Sequence, residues 1–166
     1  MPLNFSYNDI HKTVADSAQI ILASDFQPDY LLAIGGGGFI PARMLRTFIN
    51  RPIISVSITR YDNEKGLGEA SSELTTLQWL DKQQDLTNKN ILVVDEIDDE
   101  RTTLDYCLNR LIQDFPHTNF ASFVVHNKEK DKKGTLPEKL RHFFVGKTIP
   151  DEWVNYAWDT ENIESL

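Results

Sequence analysis

The sequence predicts an α/β protein built on a central parallel sheet, and three observations predict it. Residues 30–34 and 91–94 are short, uninterrupted apolar runs, the pattern of strands buried on both faces rather than of half-exposed edges. Between such runs lie stretches whose apolar side chains recur every three or four positions, as on the packed face of a helix. Two of the strands lead into loops of unusual composition: four consecutive glycines from Gly35, and four carboxylates within residues 95–99. In a sheet with right-handed crossovers the ligand crevice opens at the carboxyl ends of the strands, which places both loops on one rim.

In chain order, Ser6 is positioned to cap a helix whose Ile10, Val14, Ala18 and Ile21 share one face. Residues 26–29 break it, and residues 30–34 form the first apolar strand. A second helix follows the glycines, with Met44, Leu45, Phe48 and Ile49 on its apolar side. Residues 53–58 alternate as a strand. The polar stretch after Arg60 and Tyr61, with Gly66 and Gly68, is either a disordered loop or a lid over a site. Residues 74–80 return from it as a strand, with Trp79 in packing or an interface. Leu104, Cys107, Leu108, Leu111, Ile112 and Phe115 mark a third helix, residues 119–126 a further strand and residues 143–145 the last. Cys107 lies on the apolar stripe and reads as a buried small hydrophobe, not a nucleophile. His11, His117, His126 and His142 lack metal-ligand spacing, so no zinc site is assigned.

At 166 residues the chain is read as one domain with enough interior to fold unaided. One cysteine excludes an intrachain disulfide, the apolar runs are too short to span a bilayer, and residues 1–9 carry no secretory pattern, which together suggest a cytoplasmic protein. A net charge of −8 argues against nucleic acid as a partner. A small anion remains accessible, because local donors and a divalent cation reverse the potential inside a cleft.

The two loops carry the chemistry. Taken alone, Gly35-Gly36-Gly37-Gly38 is either a tight turn or a loop whose amides approach an anion; it lacks the Lys-Ser/Thr of a nucleoside-triphosphate loop. Asp95, Glu96, Asp98 and Asp99 are either a solvated acidic helix start or a set of acids that meets cations and hydroxyl donors. Directly after them Arg101, Thr102 and Thr103 open a helix, whose free amides and dipole favour a phosphate. Acids followed by donors suit a sugar phosphate.

In this order, DEIDDERTTL after an apolar strand resembles the phosphoribosyl pyrophosphate (PRPP) signature of the type I phosphoribosyltransferases, and IGGGGFIPARML resembles the pyrophosphate loop of the 6-oxopurine members. The resemblance spans about residues 34–159. It implies a type I phosphoribosyltransferase fold: a core of about residues 26–147 and a small hood from about residues 148–166, with residues 1–25 as a candidate addition. It also implies roles. Asp95 and Glu96 would hold the ribose hydroxyls and, with Asp159, the metal, Mg²⁺. Glu100, Arg101, Thr102 and Thr103 would wrap the 5′-phosphate, either with backbone alone or with the Arg101 guanidinium added; Glu100 and Arg101 stand where the family usually has Thr and Gly. Gly36 and Gly37 would meet pyrophosphate across a cis peptide between them, and Lys132 would join them.

For the base, Asp99 would exchange a proton with N7, Lys128, just past its strand, would donate to O6, and IPDEWVNYAWD would supply the Trp153 ring and the Val154 backbone. Tyr61 would open the catalytic lid. The implied reaction moves 5-phosphoribosyl from PRPP to N9 of a 6-oxopurine, giving a nucleoside monophosphate and pyrophosphate. Hypoxanthine and guanine come first as bases, with xanthine admitted, and relatives are homodimers or homotetramers. Rival readings are a response-regulator receiver, for which too little chain follows Leu104, a regulatory PRPP-binding protein of the same fold, and an enzyme taking adenine or a pyrimidine.

Overall fold

The computed structural model describes residues 1–61 and 70–165, without the side chains of residues 61, 70–72 and 165. Its elements are β1 (Leu3–Phe5), α1 (Tyr7–Ala23), β2 (Tyr30–Gly35), α2 (Phe39–Ile49), β3 (Ile53–Tyr61), β4 (Ala70–Gln78), β5 (Asn90–Asp98), α3 (Thr102–Asp114), β6 (Asn119–Glu129), β7 (Phe143–Pro150) and β8 (Val154–Tyr156), followed by 3₁₀ turns at Ala157–Asp159 and Ile163–Ser165. Six strands form one sheet in the order β4-β3-β2-β5-β6-β7. All its pairings are parallel except that of β4, which runs back along β3. The chain winds one way from β2 to β3 and the other way from β5 to β6. The crevice between β2 and β5 is therefore the switch point where such sheets take ligands.

Alternation along the two central strands builds both halves of the core. Leu31, Ala33, Leu92 and Val94 face Ile10, Val14, Ala18 and Ile21 of α1 and Ala42 and Leu45 of α2. Leu32, Ile34, Ile91 and Val93 face Leu104, Cys107, Leu108 and Leu111 of α3. Each of the Leu, Ile and Val side chains among them contributes about 1.5–3 kcal/mol on burial, which is why continuous apolar strands succeed only with helices on both sides. Ser6 caps α1 as expected: its Oγ accepts from the Asp9 amide at 3.1 Å and Asp9 Oδ2 accepts from the Ser6 amide at 2.8 Å.

Three sequence expectations are corrected. The acids do not follow the strand; β5 continues through Asp98, because its ladder to β6 persists through Ile97–His126 and Asp98–Asn127. Lys128 likewise sits within β6, held by pairing with β7 as far as Glu129–Pro150. The cis peptide is Gly35–Gly36, not Gly36–Gly37, since β2 ends its ladder at Gly35 and the turn begins one residue early. In addition, residues 30–34 are not the first strand: Leu3–Phe5 precedes them and pairs in parallel with Val154–Tyr156, making a two-stranded ribbon beside the main sheet. Gly66 and Gly68, expected in a lid, lie outside the described residues.

Candidate active site

Both unusual loops do leave adjacent parallel strands, β2 and β5, at the same end. Gly38 opens α2 with its amide bonded to the Ile34 carbonyl at 2.8 Å, and a Cβ there would stand 2.4 Å from the Val94 carbonyl oxygen and 2.7 Å from that of Ile34. Only glycine lets this turn lie so flat against the sheet. One residue earlier, the space over Gly37 is taken by the Glu96 carboxylate, which a Cβ would overlap. The glycine turn and the acidic segment are thus in direct contact.

Asp95, Glu96, Asp98 and Asp99 divide by environment. Asp95 is buried, and burial first, then the charge and hydrogen bond of Glu96, push its carboxyl well above the usual carboxylate range. Its Oδ1 accepts from the Glu96 amide at 3.0 Å. Asp159, brought in by the turn after β8, is also raised, by burial and by the charge of Glu96. Asp98, which sequence reasoning assigned no role, is fully buried, and its Oδ2 accepts from Arg101 Nε and Nη2 at 2.9 and 2.8 Å. Asp99 is about half exposed and lies 3.6 Å from Lys128 Nζ and 2.9 Å from Lys130 Nζ.

Arg101 adopts the left-handed conformation at φ 68°, which glycine reaches at least cost. Its pairing with Asp98 and its guanidinium over the Phe143 ring at 5.2 Å hold it there. The guanidinium is thereby turned inward, and what the loop offers outward is backbone. The first intrahelical bond of α3 runs from Asp105 N–H to the Arg101 carbonyl, so the amides ahead of it look for partners outside the helix. The Thr102 hydroxyl oxygen is shielded from solvent and finds no partner among the described residues. Lys132 Nζ donates to the carbonyls of Asp98, Asp99 and Lys128 at 2.9, 2.9 and 2.8 Å, gripping the loop from behind.

These residues wall a cleft of about 570 Å³ lined by Arg60, residues 95–104 and Trp153. Arg60 reaches across to Glu100 at 3.9 Å. Trp153 is 72% exposed, with Nε1 donating to Asn155 Oδ1 at 2.8 Å, so its ring is presented rather than packed. In a parallel ladder a residue bonds to the neighbours of its partner. Leu3 N–H accordingly donates to the Trp153 carbonyl at 2.8 Å, which turns the peptide groups of Val154 to the free edge of the ribbon. Tyr61 ends β3, paired with Ala70 at the base of β4. Behind the cleft, His126 is fully buried: Nδ1 lies 2.8 Å from the Tyr156 hydroxyl, and its ring stacks on Phe5 at 4.1 Å. The Tyr156 hydroxyl also donates to the Glu96 carbonyl at 3.4 Å.

Sequence reasoning missed Asp98, Lys130, Asp151, His126 and Tyr156. The i, i+3 spacing of Asp98 and Arg101 was a usable signal for the first; the others come together only through the sheet and the ribbon. Among the described residues no three His, Cys, Asp or Glu side chains form a ready cage for a metal ion. The Glu96–Asp159 pair, with carboxyl groups close enough that one raises the other, is nonetheless a donor set suited to a hard cation.

A sheet that brings both loops to its switch point has the build of a phosphoribosyltransferase. The chain belongs to that family: a phosphoribosyl transferase domain matches residues 6–162. It is 42% identical to the hypoxanthine-guanine phosphoribosyltransferase of Schizosaccharomyces pombe, covering 98% of this chain and 91% of that one. It is 35% identical to xanthine phosphoribosyltransferase 1 of Saccharomyces cerevisiae, covering 96% and 90%. A hypothetical protein from Neisseria gonorrhoeae, solved with bound ppGpp, superposes with a TM-score of 0.88 at 41% identity over 99% of this chain and 94% of that one.

Proposed function

We propose that this protein transfers the 5-phosphoribosyl group from PRPP to N9 of a 6-oxopurine, hypoxanthine or guanine first and xanthine also, in purine salvage. The observation that carries the reading is the contact between the Gly37 turn and Glu96 on neighbouring strands, beside the Asp99–Lys128 pair and under Trp153. The names of the relatives support the same base class.

Each group has a task in this chemistry. The amides of residues 100–103 and the shielded Thr102 hydroxyl receive the 5′-phosphate. Glu96 and Asp95 accept from the ribose hydroxyls, and the amides of Gly36 and Gly37 face the pyrophosphate. Mg²⁺, held by Glu96 and Asp159 with Asp95 behind them, would lower the charge cost of the departing pyrophosphate. Lys132 would join the Gly36 and Gly37 amides at the pyrophosphate, its ammonium also holding the carbonyls of Asp98, Asp99 and Lys128.

N9 forms a bond to C1′ as the C1′–O bond breaks and its electron pair leaves with pyrophosphate; the N7 proton passes to Asp99. Lys128 donates to O6, which favours an oxo group over the amino group of adenine because an ammonium cannot accept. Trp153 stacks on the base, and the outward peptide groups of Val154 read its edge. Tyr61, at the end of β3, would help to exclude water from the reacting centre. A homodimer or homotetramer in the cytoplasm completes the proposal; among the described residues no helix is long and apolar enough to cross a membrane.

The test is a radiolabelled-base assay with PRPP and Mg²⁺ across hypoxanthine, guanine, xanthine and adenine, with ppGpp added as a competitor because the Neisseria gonorrhoeae relative binds it. Turnover is expected with at least one oxopurine and not with adenine. Failure with all three oxopurines would leave a regulatory PRPP-binding protein as the surviving reading.

A further inference from the structure

Around Asp99 the structure holds more charge than base recognition by Asp99 and Lys128 alone requires. Lys128 Nζ lies 3.6 Å from Asp99 Oδ2 and 3.7 Å from Asp151 Oδ1, while Lys130 Nζ lies 2.9 Å from Asp99 Oδ1 and 3.2 Å from Asp151 Oδ1. Two ammonium groups thus bridge the same two carboxylates, and the shorter contacts belong to Lys130. The arrangement is built by the backbone: the Lys130 amide donates to the Lys128 carbonyl at 3.0 Å, a tight turn that folds Lys130 back over the end of β6. Asp151 enters from the turn between β7 and β8, two residues before Trp153.

Lys128 alone would leave the pair of carboxylates under-matched, because its single positive charge balances only one of Asp99 and Asp151 and their pull holds its ammonium away from a neutral purine oxygen. We propose that Lys130 is a positioning residue of the purine pocket, holding Asp99 and Asp151 together so that the Lys128 ammonium is released to the 6-oxygen of the base. This deepens the oxopurine reading above and rests on it. Lys130 never touches the base; it acts through Asp99, Asp151 and Lys128.

Burial raises the Asp99 carboxyl, but the Lys130 hydrogen bond and the charges of Lys128 and Lys130 outweigh it, so Asp99 stays below its ordinary value and is held ionised beside the two ammonium groups. Lys130 is correspondingly raised, first by its hydrogen bond to Asp99. The remaining cation at this corner, Lys132, is committed to the Asp98, Asp99 and Lys128 carbonyls and is not free to substitute.

The experiment compares Lys130→Met, Lys130→Arg, Asp151→Asn and the double variant Lys130→Met/Asp151→Asn. Hypoxanthine and PRPP kinetics are read beside IMP binding by calorimetry, so that binding is seen without turnover. Lys130→Met is expected to raise the KM for hypoxanthine and weaken IMP about three- to fivefold, with the KM for PRPP and the melting temperature unchanged. Lys130→Arg should restore both, and adding Asp151→Asn to Lys130→Met should recover most of the loss, since one fewer carboxylate then competes for Lys128.

An unchanged KM in Lys130→Met, or losses that simply add in the double variant, would overturn the proposal while leaving the enzyme's activity intact. A wild-type protein that neither turns over oxopurines nor binds IMP would instead remove the reading on which it rests.

Discussion

Acidification should weaken the fold through one identifiable residue, His126. Its ring has no exposed surface, its Nδ1 is engaged with the Tyr156 hydroxyl at 2.8 Å, its Nε2 finds no partner among the described residues, and Phe5 stacks on it at 4.1 Å. Burial, aided by the charge of Lys147, pushes its pKa down from 6.5 to about 4. The native state therefore binds fewer protons than the unfolded chain between those values, and stability rises with pH across that window and is lost as pH falls through it. From about pH 7.5 to about pH 5.5 the unfolded histidine gains most of its proton and the folded one almost none, which costs about 1.4 kcal/mol.

Asp95, whose pKa moves upward, works in the opposite direction at acid pH, so the measurement has to be a difference. Urea unfolding of wild type and His126→Phe at both pH values isolates the histidine, because all other titrations cancel between the two proteins. The Phe variant keeps the stack on Phe5 and loses the hydroxyl contact. It should be less stable at the higher pH by about 1 kcal/mol and should lose about 1.4 kcal/mol less on acidification. Parallel pH dependence in the two proteins, agreeing within about 0.5 kcal/mol, would refute the account of His126 as a buried neutral ring.

Other expectations follow from the same geometry. Asp99→Asn should slow turnover about a hundredfold while leaving PRPP affinity, read by calorimetry, within about twofold of wild type. Gly38→Ala, whose Cβ would meet the Val94 and Ile34 carbonyls, should lower stability by about 1–3 kcal/mol in thermal melts, whereas Gly36→Ala, with nothing within 4 Å of the new Cβ, should melt with wild type. Trp153→Ala should raise the KM for the base roughly tenfold with little change in melting temperature, because the ring is exposed and, in the proposed reading, would stack on the base.

Much of this was legible in the chain itself, and particular residues show why. The core faces of α1 and α3 repeat at helical spacing, and Ile10, Val14, Ala18, Ile21, Leu104, Cys107, Leu108 and Leu111 are all buried. Loop positions on the rim followed from strand order, since a glycine run closing one buried parallel strand and an acid run at the carboxyl end of another share an edge. Strand ends were less legible. Whether Asp98 or Lys128 belongs to a strand depends on the neighbour across the ladder, which local propensity does not contain. Hidden entirely was the partnership of Leu3–Phe5 with Val154–Tyr156, three-residue strands with no periodicity to detect. The meeting of Lys130 with Asp151 was hidden for a related reason: a lysine run reads as a solvated loop until the sheet sets an aspartate opposite it.

The ribbon of β1 and β8 has a consequence for how the enzyme is made. Asn4 and Asn155, joined side chain to side chain, are 151 positions apart, and Trp153 leans on the strand that contains Asn4. A polypeptide emerging from the ribosome holds both rim loops once Thr103 is made, yet its six-stranded sheet is complete only at Pro150, the end of β7, immediately ahead of the ribbon. Synthesis must pass Tyr156 before Leu3–Phe5 has a strand to pair with, so chains that end before β8 would leave β1 without its partner.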